Sequence, residues 1–412
     1  MEKLNVLVNA YAVNPKWGSE PGMGWNWISN LAACCNLFII TEGEWRHEIE
    51  AAVHEHPFKD NLHFFYLPVS HRVRKMCWNQ GDWRFYFHYR CWQKRAFKKA
   101  KEILAATRID VVHQLNMVGF REPGYLWMLG KPVIWGPIGG IEEVPMRFLA
   151  KAPVNMKSFI RMKNLITWLQ IRFDPHVDRA FRYSRALISA VPAAQEAIKT
   201  IKHRDSVLIP ETGCYDLNTI PADKRERRDF HILWVGKFDY RKRLDLALEA
   251  IAKVKDLPGL HFHIAGTGTE KQVDGYKELA ASLGIEDICV WHGKVPNDQV
   301  QVMMRDADLF FFTSISEATS TVVPEAINNC LPVLCFNACG FGPIVSERIG
   351  VKVEPKSPEE AVPEFAGHIR SLYNDRGLLH EMSLNCREVL QTLLWENKAK
   401  QVVEIYERCL NN

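Results

Sequence analysis

Twelve short apolar runs recur along this 412-residue chain, each followed by a stretch of helical periodicity, and this alternation limits the fold more than any other feature. In the first half the runs are Leu4–Asn9, Leu37–Thr41, Leu62–Val69, Asp110–Leu115, Pro132–Gly136 and Ala186–Val191. In the second they are His231–Gly236, Leu260–Gly266, Asp287–Gly293, Ala307–Thr313, Val333–Asn337 and Gly350–Glu354. A run such as Asp308-Leu-Phe-Phe-Phe-Thr313 has no polar alternation, which marks a strand buried on both faces. Such strands alternating with helices build parallel sheets covered on both sides. The chain is too long for one core of this kind, so two doubly wound α/β domains are predicted in series. The charge-rich stretch Asp223-Lys-Arg-Glu-Arg-Arg-Asp229 suggests where they divide. The expected plan is a first domain over 1–210, a linker over 211–229, a second domain over 230–394 and a closing helix over 395–412. Ligands of such sheets gather at the carboxyl ends of the strands, which predicts a cleft shared by the two domains.

No run of about 18 apolar residues is present, so no membrane span is expected. The first 13 residues read as a strand and not as a cleaved signal. Eleven cysteines are scattered without a CxxC or a Cys/His ligand spacing, the pattern of reduced cytosolic thiols. The net charge of +4 hides an asymmetry. Residues 1–210 hold 29 Lys+Arg against 18 Asp+Glu, a net of +11, and the remainder carries −7. Only the first half is suited to an anionic partner.

Several β–α junctions carry chemistry. Ser316-Glu317 through Glu325-Ala326 follows a buried strand and opens a helix. Ser320 or Thr321 is placed to cap that helix, and Pro324 falls in its first turn. Backbone N–H groups there suit a phosphate, and a carboxylate one turn in suits a diol. Read alone, two glutamates eight apart also describe a solvated face. Val235-Gly236-Lys237-Phe238 through Arg241-Lys242-Arg243 puts four cations around another junction, where they would neutralise a leaving phosphate or merely be solvated. Gly18-Ser-Glu20-Pro-Gly22-Met-Gly24-Trp25 follows the first strand with spacing unlike a dinucleotide fingerprint. Its glycines permit close backbone approach, to a ligand or within a tight turn. Trp135-Gly-Pro-Ile-Gly139-Gly140 closes another strand, and Gly266-Thr-Gly268 is a weaker signal of the same kind. Asp306-Ala-Asp308 reads as a helix end and strand start, so no metal site is expected. A lone histidine is more often structural, yet His113 ends its strand, where α/β enzymes keep their chemistry.

Together these motifs resemble the retaining, nucleotide-sugar-dependent glycosyltransferases of family four, which have the GT-B fold, and the likeness runs over nearly the whole chain. Glu317 and Glu325 match the family's Glu-x7-Glu element. Gly236-Lys237-Phe238 through Arg241-Lys242-Arg243 matches its diphosphate element. Leu394-Trp395-Glu396 through Leu410 resembles its closing helix, with Ala399, Val402, Tyr406 and Cys409 at helical spacing. Gly18–Trp25 and Trp135–Gly140 look like the subgroup of bacterial capsule and exopolysaccharide assembly. The resemblance implies catalytic roles for Lys237, Lys242, Glu317 and His113. It implies donor contacts from Glu325, Ser320, Thr321, Lys294, Val295, Gly22 and Gly24. Acceptor contacts are expected from Glu20, Asn116, Arg121, Gly139 and Gly140. The chain departs from the family at Lys237 in place of the usual Arg, Arg243 in place of Gly, and Leu115 where many members have a second His.

Residues 71–101 hold ten Lys+Arg against the single acid Asp82, interleaved with aromatic residues that include Trp78, Trp83 and Trp92. Residues 147–185 continue the pattern, with Phe159, Met162, Ile166, Leu169 and Phe173 at helical spacing beside Arg161, Lys163 and Arg172. Packing of aromatic faces on the first sheet accounts for part of this. An amphipathic surface resting on anionic lipid is the favoured reading, and no nucleic-acid motif is present. The expectation is a cytoplasmic, metal-independent hexosyltransferase, peripheral on the inner face of the plasma membrane. It would move sugar from a UDP- or GDP-sugar to a glycan or lipid-linked acceptor in surface polysaccharide synthesis, with no cofactor beyond that co-substrate. The rivals are a GT-B sugar-nucleotide epimerase and a non-catalytic sugar-nucleotide or glycan-binding subunit.

Overall fold

The computed structural model describes residues 3–78, 82–143, 146–149, 154–317 and 319–411. Residues 79–81 and 150–153 of the two basic segments, and Ala318 of the glutamate element, lie outside the described residues. The first sheet contains β1 (Leu4–Ala10), β2 (Cys35–Thr41), β3 (Leu62–Tyr66), β4 (Val111–Asn116), β5 (Val133–Ile138), β6 (Ala186–Ser189) and β7 (Val207–Leu208). The second contains β8 (Phe230–Val235), β9 (Leu260–Ala265), β10 (Cys289–Gly293), β11 (Leu309–Phe312), β12 (Val333–Phe336) and β13 (Gly350–Val353). Their orders are 3-2-1-4-5-6-7 and 10-9-8-11-12-13, with every pairing parallel. All twelve expected strands form. The short β7 was not foreseen, because the three-residue apolar run Val207-Leu208-Ile209 is too short to read as a strand.

The central strands β4, β5, β11 and β12 are buried throughout, in keeping with the continuous apolar runs of β11 and β12. Polar residues in this interior bond to one another. At the end of β1 the Asn9 amide donates to Gln93 Oε1 (2.7 Å) and Gln114 Oε1 (2.8 Å), and Gln93 donates to the Tyr89 hydroxyl (2.6 Å).

The chain divides into two compact units. One comprises Met1–Glu142, Met162–Glu211 and Trp395–Asn412, the other Glu143–Arg161 and Thr212–Leu394. Within the first unit, the helix Trp395–Asn411 packs on the helix Ser19–Leu31. Trp395 meets Trp27 edge to face at 5.4 Å, and buried Lys398 lies over both indoles while donating to Pro210 O (2.6 Å). The stretch read as a linker behaves differently from its composition. Apart from Glu211 it belongs to the second unit, because its polar groups are tied down there. Asp216 pairs with Arg387 (2.7 Å), Tyr215 O accepts from Asn328 (2.7 Å), and Lys224 Nζ donates to Arg305 O (2.6 Å).

The second sheet also carries a histidine row that sequence reading passed over. His231 on β8, His261 and His263 on β9, and His292 on β10 lie side by side. His231 Nδ1 is 2.9 Å from His263 Nε2, His263 Nδ1 is 3.0 Å from His292 Nε2, and His261 stacks on His231. Burial first, then the neighbouring rings, push His263 down from 6.5 to about 4, and His231 and His292 are also lowered by burial. Between these values the folded chain binds fewer protons than the unfolded one. The contribution of the neutral ring is therefore complete above pH 6.5 and is lost as pH falls toward 4. Thermal unfolding from pH 7.5 to 4 should show stability falling below about pH 6.5, and His263→Gln should shrink that fall. An identical pH profile for the variant would contradict the coupling.

Candidate functional site

In the second sheet β8 and β11 are neighbours although β9 and β10 lie between them in the sequence, so the strand order reverses between them. Ligands of open α/β sheets bind at such a reversal. Two junctions meet here, Gly236–Arg243 after β8 and Thr313–Thr321 after β11. They are laced together by backbone and hydroxyl groups. Ile315 N donates to Arg241 O (2.9 Å), Ser314 Oγ to Arg241 O (3.2 Å), and Thr313 Oγ1 lies 2.8 Å from Lys242 O and 3.0 Å from Arg243 O. The Trp234 indole N–H donates to the same threonine oxygen (3.1 Å).

On this frame Lys242 Nζ sits 2.8 Å from Glu317 Oε1 and 4.8 Å from the centre of the Phe312 ring. Ser314 Oγ lies 3.0 Å from the same carboxylate oxygen, so its single proton is shared between Glu317 and Arg241 O. The four cations of the β8 junction separate by role. Arg241 is paired with Asp239 (2.9 Å). Arg243 is fully buried, forked onto Asp245 (2.8 Å) and bonded to Phe148 O (3.1 Å). Lys237 is exposed, with no ion pair among the described residues. Among the described residues Lys237 is therefore the cation of this junction left without an ion pair, while Lys242 is paired with Glu317. Arg243 has φ +50°, a left-handed conformation that favours glycine, which gives a physical reason for the Gly usual at this position.

Glu325 lies in the helix Val322–Asn328, and burial raises its carboxyl above the ordinary range. Hydrogen bonds from Asn297 and Gln301 oppose that shift. Asn297 opens the helix that follows Lys294-Val295, so the structure brings Glu325 to the segment expected to meet the base. Lys294 is exposed and Val295 half-buried. The expected cap is corrected. Thr321 occupies the cap position in helical geometry, φ −74° and ψ −31°, and neither its side chain nor that of buried Ser320 makes a capping bond. A capping oxygen needs extended backbone and an N–H two or three residues on, and Pro324 has none to offer.

In the first unit His113 is corrected from catalytic to structural. It is 1% exposed and both ring nitrogens are engaged. Nε2 must donate to Gly136 O (2.7 Å), because a carbonyl only accepts, and Nδ1 then accepts from the Tyr406 hydroxyl (2.6 Å). Burial lowers its pKa to about 4, so it stays neutral. Gly22 and Gly24 are corrected as well. They lie buried inside the helix Ser19–Leu31, and the close approach they permit is to the protein itself. A Cβ at Gly22 would overlap Trp17 O, and one at Gly24 would overlap Ala12 O and reach 2.8 Å from Asn116 Nδ2. Asn116 is 0% exposed and spends its amide on Ala12, donating to its O (2.8 Å) and accepting from its N (3.3 Å), so it is not free for an acceptor.

The other acceptor candidates are partly brought together. Glu20 Oε1 accepts from Val118 N (2.7 Å), and Val118 O accepts from Gly139 N (2.9 Å). Burial pushes Glu20 up to about 7. Gly140 N donates to Glu142 Oε2 (2.9 Å), a carboxylate that sequence reading missed. Arg121 stands apart, held by Gln170 and by Thr167 Oγ1 (2.6 Å), with burial lowering its pKa. Thr313 and Ser314 were also missed, although two hydroxyls directly after a buried run were a legible signal.

Residues 218–389 match the family model described as "Glycosyl transferases group 1". The second unit is thus similar to the group 1 glycosyl transferases. The chain is 26% identical over 178 residues to an uncharacterized glycosyltransferase of Methanocaldococcus jannaschii, covering 43% of this chain and 44% of that one. It is 30% identical over 149 residues to a putative teichuronic acid biosynthesis glycosyltransferase of Bacillus subtilis, covering 35% and 34%. The chain spans less than half the length of these curated relatives. An Anabaena protein solved in complex with UDP superposes with a TM-score of 0.62 at 14% identity, over 98% of this chain and 100% of that one. This agrees with the expected GT-B class, two parallel-sheet Rossmann-like units.

The reassignment of His113 has a direct test. Tyr406→Phe removes the donor to a buried ring nitrogen and should lower stability by about 1–3 kcal/mol in denaturant unfolding. Nucleotide binding by the folded variant should match wild type. Unchanged stability would contradict the structural role.

Proposed function

We propose that the protein transfers a sugar, with retention, from a nucleotide sugar to a glycan or lipid-linked acceptor in surface polysaccharide assembly. The observation that carries this reading is the Lys242–Glu317 pair at the reversal of the second sheet, with Lys237 open beside it and Glu325 held next to Asn297. Lys237 and Lys242 would take up the charge that develops on the departing diphosphate, without calling on a metal ion. Glu325 would accept hydrogen bonds from the ribose diol, and Glu317 would orient the sugar while it positions Lys242. A UDP- or GDP-linked donor fits this reading, and the UDP bound by the Anabaena relative in fold supports the first.

Contact with an anionic membrane is part of the proposal. The helix Val154–Phe173 buries only Thr167 and Ile171, and its Phe159, Met162, Ile166, Leu169 and Phe173 are exposed beside Arg161 and Arg172. Trp83 and Phe87 are also exposed. Trp92, expected as an anchor, is not available. It is 1% exposed and donates to Leu67 O (2.8 Å), so the helix Arg84–Ala106 packs much of its aromatic face inward. Among the described residues no helix is long and apolar enough to cross a membrane. Interfacial contact is the mode this composition supports.

Lys242→Ala should lower kcat by about 10²–10³, as for other groups that stabilise transition-state charge, while Glu325→Gln should weaken nucleoside diphosphate binding by roughly 1–3 kcal/mol. Steady-state kinetics and titration calorimetry read the two. A near-normal kcat for Lys242→Ala would contradict the leaving-group role, and free epimerised donor without an acceptor would favour the epimerase. For the membrane, sedimentation with anionic vesicles should weaken as salt rises and on replacing Phe159, Ile166 and Phe173 with Ser. Equal binding to neutral vesicles would remove the electrostatic part.

A further inference from the structure

A second aromatic surface, wholly within the first unit, has the Glu44 carboxyl bonded to one of its indoles. It forms at the carboxyl ends of the paired strands β1 and β2. The loops that follow are joined at Tyr11 O, which accepts from Glu42 N (3.0 Å) and Thr41 Oγ1 (3.1 Å). The first loop is stiffened by buried Asn14, whose Oδ1 accepts from Lys16 N (2.7 Å) and Trp17 N (3.1 Å). On this fixed backbone Trp17 is 55% exposed and lies 5.2 Å from the half-buried Trp45, the rings inclined at 45°. Glu44 precedes Trp45 and accepts a hydrogen bond from Trp78, itself 48% exposed. The neighbouring acid, Glu42, is consumed by Arg74 (2.8 Å) and Val69 N (2.9 Å). Glu44 is thus the carboxyl left on the rim, and burial pushes it up to about 7.

Large indole faces held rigidly in water call for an apolar surface to cover them. A carboxyl between them calls for donors. A sugar ring supplies both, with a face of C–H groups and a girdle of hydroxyls. The nearby guanidinium groups are already paired, Arg74 with Glu42 (2.8 Å) and Arg46 with Glu50 (2.7 Å), which leaves neither free for a phosphate. We propose that Trp17, Trp45, Trp78 and Glu44 form a saccharide subsite that receives an uncharged sugar unit of the acceptor. As an acceptor site it rests on the glycosyl-transfer reading.

The test uses the full chain without donor, titrated with maltose, cellobiose and N,N′-diacetylchitobiose by saturation-transfer NMR and tryptophan fluorescence. At least one disaccharide should bind, and Trp17→Ala and Glu44→Ala should each weaken it tenfold or more. Both variants should keep the wild-type melting temperature and UDP affinity. Absence of binding by all three, undiminished binding by the variants, or binding of tetramethylammonium in place of sugar would overturn the subsite. Donor turnover is measured separately. Disaccharide binding without any transfer would leave the subsite standing and count against the transferase reading, whereas transfer that Trp17→Ala leaves unchanged in acceptor KM would do the reverse.

Discussion

The ion pair of Lys242 with Glu317 joins the two junctions that meet where the second sheet reverses its order. Both side chains are largely buried, and such a pair contributes little net stability, since the cost of removing two charges from water offsets their attraction. Its value lies in position. Thr313 and Ser314 fix the backbone beneath it, Phe312 lies under the ammonium, and Arg241 and Arg243 are occupied elsewhere. The lysine is thereby held in one place with a single exchangeable carboxylate, a state that an incoming phosphate can compete for. The first sheet has a parallel device at its own reversal between β1 and β4, where Glu20 is bonded to Val118 N.

The strands were legible because buried parallel strands leave continuous apolar runs, and Leu309–Phe312 is the clearest of them. The Glu317, Glu325 and Lys242 junctions were legible for a related reason, since residues just after such runs must lie at the sheet's carboxyl edge. The errors share a different cause. The role of His113 depends on Tyr406, 293 positions away, and nothing local distinguishes a catalytic histidine from one so engaged. Gly22 and Gly24 signalled close approach correctly, but the approaching atoms belong to the loop of Ala12 and Trp17. The charged stretch before β8 looked like a linker because composition reports charge and not the partners that hold it. Trp92 sits on a helix rich in cations, yet it faces inward.

The basic excess of the first half is therefore not one continuous surface. Some of its cations are spent within the fold, as in Arg74 with Glu42 and Arg90 with Glu122. The aromatic residues separate in the same way. In the helix Val154–Phe173 the Arg172 guanidinium lies over Trp168, and after β2 the Glu44 carboxyl accepts a hydrogen bond from Trp78. Residue type alone gives both surfaces the same appearance in the sequence, and the charge beside each ring is what separates them chemically.

The first unit is assembled from three separate stretches of chain, the last being the helix that begins at Trp395. This sets an order of events during synthesis. The second unit has all of its sequence once Leu394 is made. The first unit must wait, with Trp27 uncovered and His113 lacking its hydroxyl partner, until the final helix leaves the ribosome. Throughout translation of the second unit the nascent first unit lacks the helix that covers Trp27. A premature stop in the last helix would harm the unit encoded first.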